Sequence, residues 1–239
     1  VGIGIATASI AVGGLCPFIS RHGDVVSSQA FARPELGLAA VRHLDAGNSL
    51  AALPQLLNSA DDHFEFRQIG VMLRTGAQWA HTGGSCRPWA GHRSARGCVA
   101  MGNFLADAGV VDEMLEAFVA GDGAPLAERL LRALEAARDA GGQADANGHP
   151  VRERSAALLV AGGGQLADIK DAAVTPVNVR IDLHEEAVTA LRTLYRHVRK
   201  VADYNTLRSA HPASTPGLTA WEAEQLDDVA VPSVIHPDR

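Results

Sequence analysis

The chain opens on an alternation: Val1, Ile3 and Ile5 are large and apolar, while Gly2, Gly4 and Ala6 are small. Period two of this kind predicts a strand over Val1–Ala8 whose small face is covered closely by another layer. Apolar or alternating runs predict further strands at Asp24–Ala30, Phe66–Leu73, Gln78–Thr82, Val99–Asn103, Ser155–Ala161 and Asn178–Leu183. Arg74-Thr75-Gly76 joins the third and fourth as a hairpin turn. Between the strands the period changes to three and four. Leu36, Ala39, Ala40 and Leu44, then Leu50, Leu53, Leu56 and Leu57, mark a first helical group. Val110, Met114, Leu115 and Phe118, then Leu126, Leu130, Leu131 and Leu134, mark a second, which Gly141-Gly142 stops. A long helix from Glu185 to about Asp203 has an acidic start and a basic end, as the helix dipole favours.

Runs of strands and runs of helices, without strict alternation, indicate an α+β layered domain. From Thr206 the pattern lapses and four prolines appear. Thr219 and Glu222 have capping-box spacing with Leu218 as the staple residue, which predicts one short helix there. The predicted organisation is a domain over residues 1–205 and an appended tail over 206–239, too short to sustain its own core.

Composition changes this picture mainly by exclusion. The 239 residues are 47% hydrophobic and 20% charged, enough to bury a core. A formal net charge of −6 without a basic run gives nucleic acid phosphates nothing to hold, so no nucleic-acid partner is expected. Three cysteines without a close pair imply no disulfide framework and a reducing, cytoplasmic setting. Val1 to Ile19 carries no charge, yet it has no basic flank and is interrupted by Gly2, Gly4, Gly13, Gly14 and Pro17. It reads as a buried strand, not a membrane span or signal peptide.

Three stretches carry candidate chemistry. Gly162-Gly163-Gly164 with Ala167 matches a dinucleotide fingerprint, and Asp182 follows 18 residues after Gly164. Thr175-Pro176 leaves room for only a short helix, so a glycine-rich connection is expected and no cofactor. His81, Cys86, His92 and Cys98 are zinc-type ligands, which leaves a zinc-dependent hydrolase as one alternative. None of them forms a short C-x-x-C pair, and no metal is expected. The loop from Thr82 to Arg93 combines backbone access at Gly83 and Gly84, an apolar wall in Trp89 and a proton carrier in His92. A surface loop with one packed tryptophan fits the same residues.

The ordered segments, taken together, resemble a known family. They are Ala6-Thr7-Ala8-Ser9-Ile10-Ala11-Val12-Gly13-Gly14, Ser28-Gln29-Ala30 and Arg67-Gln68-Ile69-Gly70-Val71. The loop through Trp89-Ala90-Gly91-His92, Gly102-Asn103-Phe104-Leu105-Ala106 and Ser155-Ala156-Ala157-Leu158-Leu159-Val160 complete the series. The chain resembles, as far as about Tyr204, the bacterial and archaeal domain-of-unknown-function family number one thousand and twenty-eight, grouped with the N-terminal-nucleophile hydrolases. The resemblance implies a four-layer α-β-β-α sandwich of two antiparallel sheets. It also implies hydrolysis of an amide bond in a small-molecule substrate by an N-terminal Thr, Ser or Cys whose own amine is the base. A non-catalytic binding or scaffold protein of the same fold is the alternative.

Family members open with a strand that carries this nucleophile, whereas Val1 lies in what reads as the second strand. The first strand is therefore expected to be missing here, with the nucleophile upstream. By position, the resemblance implies catalytic roles for Thr7, Ser28 and Asn103 and substrate contacts from His92, Trp89 and Ser155. Val151-Arg152-Glu153-Arg154 departs from the family's glycine-and-glutamine pattern. A homo-oligomer, in the simplest case a dimer clasped by the Trp221 tail, is expected as well.

Overall fold

The computed structural model describes residues 1–162 and 177–225. Two compact units divide the chain, Val1–Arg192 and Thr193–Arg239. The first is a mixed α/β unit built on antiparallel sheets. Its strands are β1 (Gly2–Thr7), β2 (Pro17–Ile19), β3 (Val25–Gln29), β4 (Gln68–Met72), β5 (Gln78–Thr82), β6 (Gly91–Ala95), β7 (Cys98–Gly102), β8 (Gln143–Ala144), β9 (Pro150–Val151), β10 (Ser155–Val160) and β11 (Val177–Ile181). The helices are α1 (Pro34–Asp45), α2 (Leu53–Ser59), α3 (Gly109–Ala120), α4 (Leu126–Asp139), α5 (Ala187–Ala210) and α6 (Leu218–Gln225). No described helix is long and apolar enough to cross a membrane.

One sheet has the order β1-β10-β11, with Thr7 opposite Ser155. The alternation at the start of the chain explains its outer cover. A Cβ on Gly4 would sit 3.4 Å from both Leu130 and Leu134, so the small face lets α4 lie close against β1. The second sheet runs β2-β3-β4-β5. Val26 pairs with Val71 and Ser28 with Ile69, and this face meets α1 and α2 through Leu36, Leu44, Leu53 and Leu57. The opposite face carries Val25, Ser27 and Gln29 against Met72, Gly70 and Gln68. Gly37 permits the closest approach of α1, since any Cβ there would collide with the Phe18 ring. Hairpins β6-β7 and β8-β9 complete the strands, with α3 packed on the first of them and on α4.

Several elements differ from the sequence expectation for physical reasons. β2 is only three residues long, too short to register as a period. β6 lies where glycines and Pro88 indicate only a loop; it exists because β7 pairs with it along its whole length. α5 continues past the predicted end at Asp203 to Ala210, the next helix-breaking residue being Pro212. α6 begins at Leu218, so Thr219 lies inside its first turn. Residues 163–164 and 167 of the glycine-rich fingerprint lie outside the described residues. In the second unit the Trp221 ring packs 5.5 Å from Tyr204, whose hydroxyl donates to Pro216 O.

Ion pairs tie the layers. Arg192 bonds Glu135 and Glu128, fastening the start of α5 to α4. Asp61, buried behind α2, accepts from Arg67 at 2.7 Å and Arg33 at 2.9 Å. The Arg67 hydrogen bond above all holds its carboxyl down to about 2, from an ordinary value near 3.8. A depressed folded pKa stabilises the native state at pH above the unfolded value, and that stability is lost as pH falls through the folded one. Asp61→Asn is therefore expected to cost about 2 kcal/mol at neutral pH. The gap from wild type should close between about pH 4 and pH 2, read from urea midpoints across that range; a gap independent of pH contradicts the assignment.

The three cysteines are free. Burial pushes the thiols of Cys16 and Cys98 up to about 11 and raises that of Cys86.

Candidate functional site

A cavity of about 800 Å³ lies along β1. Ile3 and Ile5 of β1, Val25 and Ser27 of β3, Met101 of β7 and Leu134 of α4 are among its walls. Most of that lining is apolar; Thr7, Asn103 and Gln143 lie together where β1 and β7 end.

There the side chains form one hydrogen-bonded chain. Thr7 Oγ1 donates to Gln143 Oε1 (3.3 Å), which also accepts from the Ala8 amide (2.6 Å). Gln143 Nε2 donates to Asn103 O (3.2 Å), and Asn103 Nδ2 to Gln68 Oε1 (3.1 Å). Gln68 Oε1 accepts a second bond from Gln29 Nε2 (2.8 Å), and Gln29 Oε1 in turn accepts from Ser27. Gln68 Nε2 faces three acceptors: Thr82 Oγ1 and the carbonyls of Gly91 and Gly102, at 2.9, 3.0 and 2.9 Å. The Thr82 hydroxyl meets His92 Nδ1 at 2.9 Å. Burial first, then His81 and Arg93, lower the His92 pKa, so the imidazole is neutral at pH 7.

Local sequence sets this geometry. Gly141 and Gly142 end α4 with positive φ and turn the chain so that Gln143 returns to bridge Leu105. Asn103 follows β7 directly and precedes Phe104, whose φ of 59° turns the chain away from the strand. Gln68 opens β4 on the cavity-side face, and its full burial explains why every polar atom of its side chain is bonded.

The six residues implied by the resemblance divide. Thr7 and Asn103 line the cavity and belong to the chain of amides, and His92 joins it through Thr82. Ser28 sits on the helix-covered face of β3, where its hydroxyl donates to Arg33 O. Ser155 is fully buried and donates to Ser9 O while accepting from the Val12 amide, which pins the turn after β1 to β10. Trp89 packs with the cluster under α3, and Arg93 stands 5.9 Å from its ring.

The zinc-type residues do not assemble. His81 stacks on Phe64, Cys86 donates to Arg67 O, and His92 bonds Thr82. No group of three or more His, Cys, Asp or Glu able to hold a metal occurs among the described residues.

Gln68, Gln143 and Gln29 are the residues to which sequence reasoning gave no role. Gln68 left a trace, a glutamine at the head of an apolar strand. Gln143 left none, because only the fold returns it to Thr7.

Residues 1–191 match the model of a family described as a family of unknown function, DUF1028. The crystal structure of protein SPO2555 from Silicibacter pomeroyi, assigned to the same family, is similar at a TM-score of 0.71 and 30% identity. The match covers 85% of this chain and 86% of that one. None of the curated proteins matches the chain.

Proposed function

The chain belongs to the family of unknown function DUF1028, and on that footing we propose that it is an amide-bond hydrolase of the N-terminal-nucleophile type acting on a small metabolite. The observation that carries the proposal is the row of amides behind Thr7, in which Gln143, Asn103, Gln68 and Gln29 immobilise one another at the cavity's end. Amide hydrolysis needs donors already fixed where an oxyanion develops, because such donors need not reorganise during reaction. Asn103 Nδ2 carries two hydrogens and gives one to Gln68; no other described residue takes the second, and Asn103 lines the cavity. That hydrogen is the oxyanion donor in this scheme.

The attacking group in this scheme is the side chain of a Thr, Ser or Cys whose own α-amine acts as its base. Thr7 positions Gln143, and neutral His92 holds Thr82 and through it Gln68. The matching fold is the four-layer α-β-β-α sandwich. In its support, α4 covers β1, α1 covers β3, and β1 and β3 line one cavity.

The test uses protein made from the native gene, with its N-terminus sequenced, on a broad panel of small amides. Hydrolysis is expected, with Asn103→Ala lowering kcat about a hundredfold and leaving KM nearly unchanged. An intact protein that cleaves none of the panel overturns the proposal. A second reading, a binding protein without chemistry, is favoured by Thr7 Oγ1 donating to an amide oxygen and not to a base. It predicts ligand-induced thermal shifts without turnover.

A further inference from the structure

The cavity's charge runs against that of the whole chain. In a protein of net charge −6, the described residues lining it include four arginines, Arg74, Arg87, Arg138 and Arg154, against one carboxylate, Glu153. Arg87 is held differently from the others. Its guanidinium carbon stands 5.4 Å from the Phe31 ring centroid and 5.6 Å from that of Phe104, and both rings also line the cavity. Both phenylalanines have positive φ, 45° and 59°, a conformation that costs a non-glycine residue energy and persists only where the surroundings impose it. The imposing bonds are visible: Arg67 donates to Phe31 O, and the Phe104 amide donates to Arg87 O.

Cation–π contact uses the positive charge of Arg87 but none of its five N–H donors. No carboxylate pairs with it, and no acceptor takes its guanidinium hydrogens, among the described residues. Arg87 is exposed, yet its contacts with the two rings already restrict its rotamers, so it has less freedom to give up on binding than an arginine without such contacts. Its planar donor fork matches a carboxylate, which accepts two parallel bonds.

We propose that Arg87, clamped by Phe31 and Phe104, is the specificity residue of the cavity and pairs with a carboxylate on an otherwise apolar acyl-amino ligand. This deepens the hydrolase proposal, on which it rests for the cavity being a small-molecule site. Arg87 takes no part in bond cleavage; it selects amides that carry a free acid.

Isothermal titration with N-octanoylglycine and N-octanoylglycinamide separates the charge from the apolar chain. The acid should bind at least tenfold more tightly than the amide. Arg87→Gln should bring the acid down to the amide's affinity without shifting Tm, while Arg87→Lys should recover only part of the preference. Phe104→Leu, which keeps the charge but loosens the clamp, should weaken the acid alone. Equal binding of acid and amide, no binding of the acid at millimolar concentration, or an Arg87→Gln protein with unchanged preference overturns the proposal. Equal competition by inorganic phosphate would overturn the carboxylate assignment in favour of a general oxyanion site. None of these readouts involves turnover. A protein that discriminates acid from amide but hydrolyses neither defeats the hydrolase proposal and leaves this one standing.

Discussion

Gln68→Leu is expected to lower Tm by about 10 °C, the consequence of a loss of about 3 kcal/mol in a chain of this length. Leucine has nearly the volume of glutamine and causes no cavity; the loss is polar. Five bonds converge on the Gln68 amide, from Gln29 and Asn103 and to Thr82, Gly91 and Gly102. Removing the amide strands the Gln29 and Asn103 donors on one side and two backbone carbonyls on the other, around a side chain that is itself fully buried. Stranded groups cost more than the bonds themselves were worth, so one substitution acts on β3, β5, β6 and β7 together. Asn103→Ala removes only one partner, leaves Gln68 three-quarters satisfied or better, and should cost about 1 kcal/mol. The double variant should be less destabilised than the sum, since both changes break the same bond. A Tm within about 3 °C of wild type for Gln68→Leu would mean that water or a side-chain shift fills the gap and that the network is not a structural unit.

Gly83→Ala is expected to destabilise by about 3 kcal/mol through overpacking. The added Cβ would stand 2.7 Å from the Glu65 Cα and closer still to its carbonyl, a backbone that cannot swing away as a side chain would. Both segments are pinned: the Gly83 amide donates to Arg67 O at 3.0 Å, and the Ser85 amide to Glu65 O at 2.9 Å. One of these bonds must break. Amide exchange at Ser85 should then speed up more than exchange in α4, and Thr82, adjacent in the chain, should lose its grip on His92. Gly217→Ala is the control, because a Cβ there meets nothing within 4 Å, and its effect should stay within about 0.5 kcal/mol. Similar effects at the two positions would remove close approach as the reason for Gly83.

Much of the layering was legible because strands announce themselves by period. Val1, Ile3 and Ile5 alternating with Gly2 and Gly4 predicted both β1 and the close cover that α4 provides. The site was less legible, for a reason visible at Ser27 and Ser28. Alternation says that neighbouring residues face opposite sides, but not which side a helix will cover; α1 covers Ser28 and leaves Ser27 beside the cavity. Thr7, Asn103 and His92 could be picked out by family likeness, yet their connection runs through Gln143 and Gln68, which are 75 positions apart in the chain. Glutamine has no local signature, since its role depends on which groups the fold leaves unsatisfied around it. β6 was hidden by its own glycines and became a strand only through β7.

The buried thiol of Cys16 also makes the molecule a timepiece. With its pKa near 11, about one thiol in a thousand is ionised at pH 8, so an alkylating reagent finds almost no target in the closed protein. Each opening of the turn that follows β1 returns the sulfur to water and to ordinary reactivity. The rate at which Cys16 acquires label therefore counts those openings directly, with no probe added to the chain. Any ligand that fills the cavity, whose wall Cys16 shares, should make the clock run slower in proportion to its occupancy.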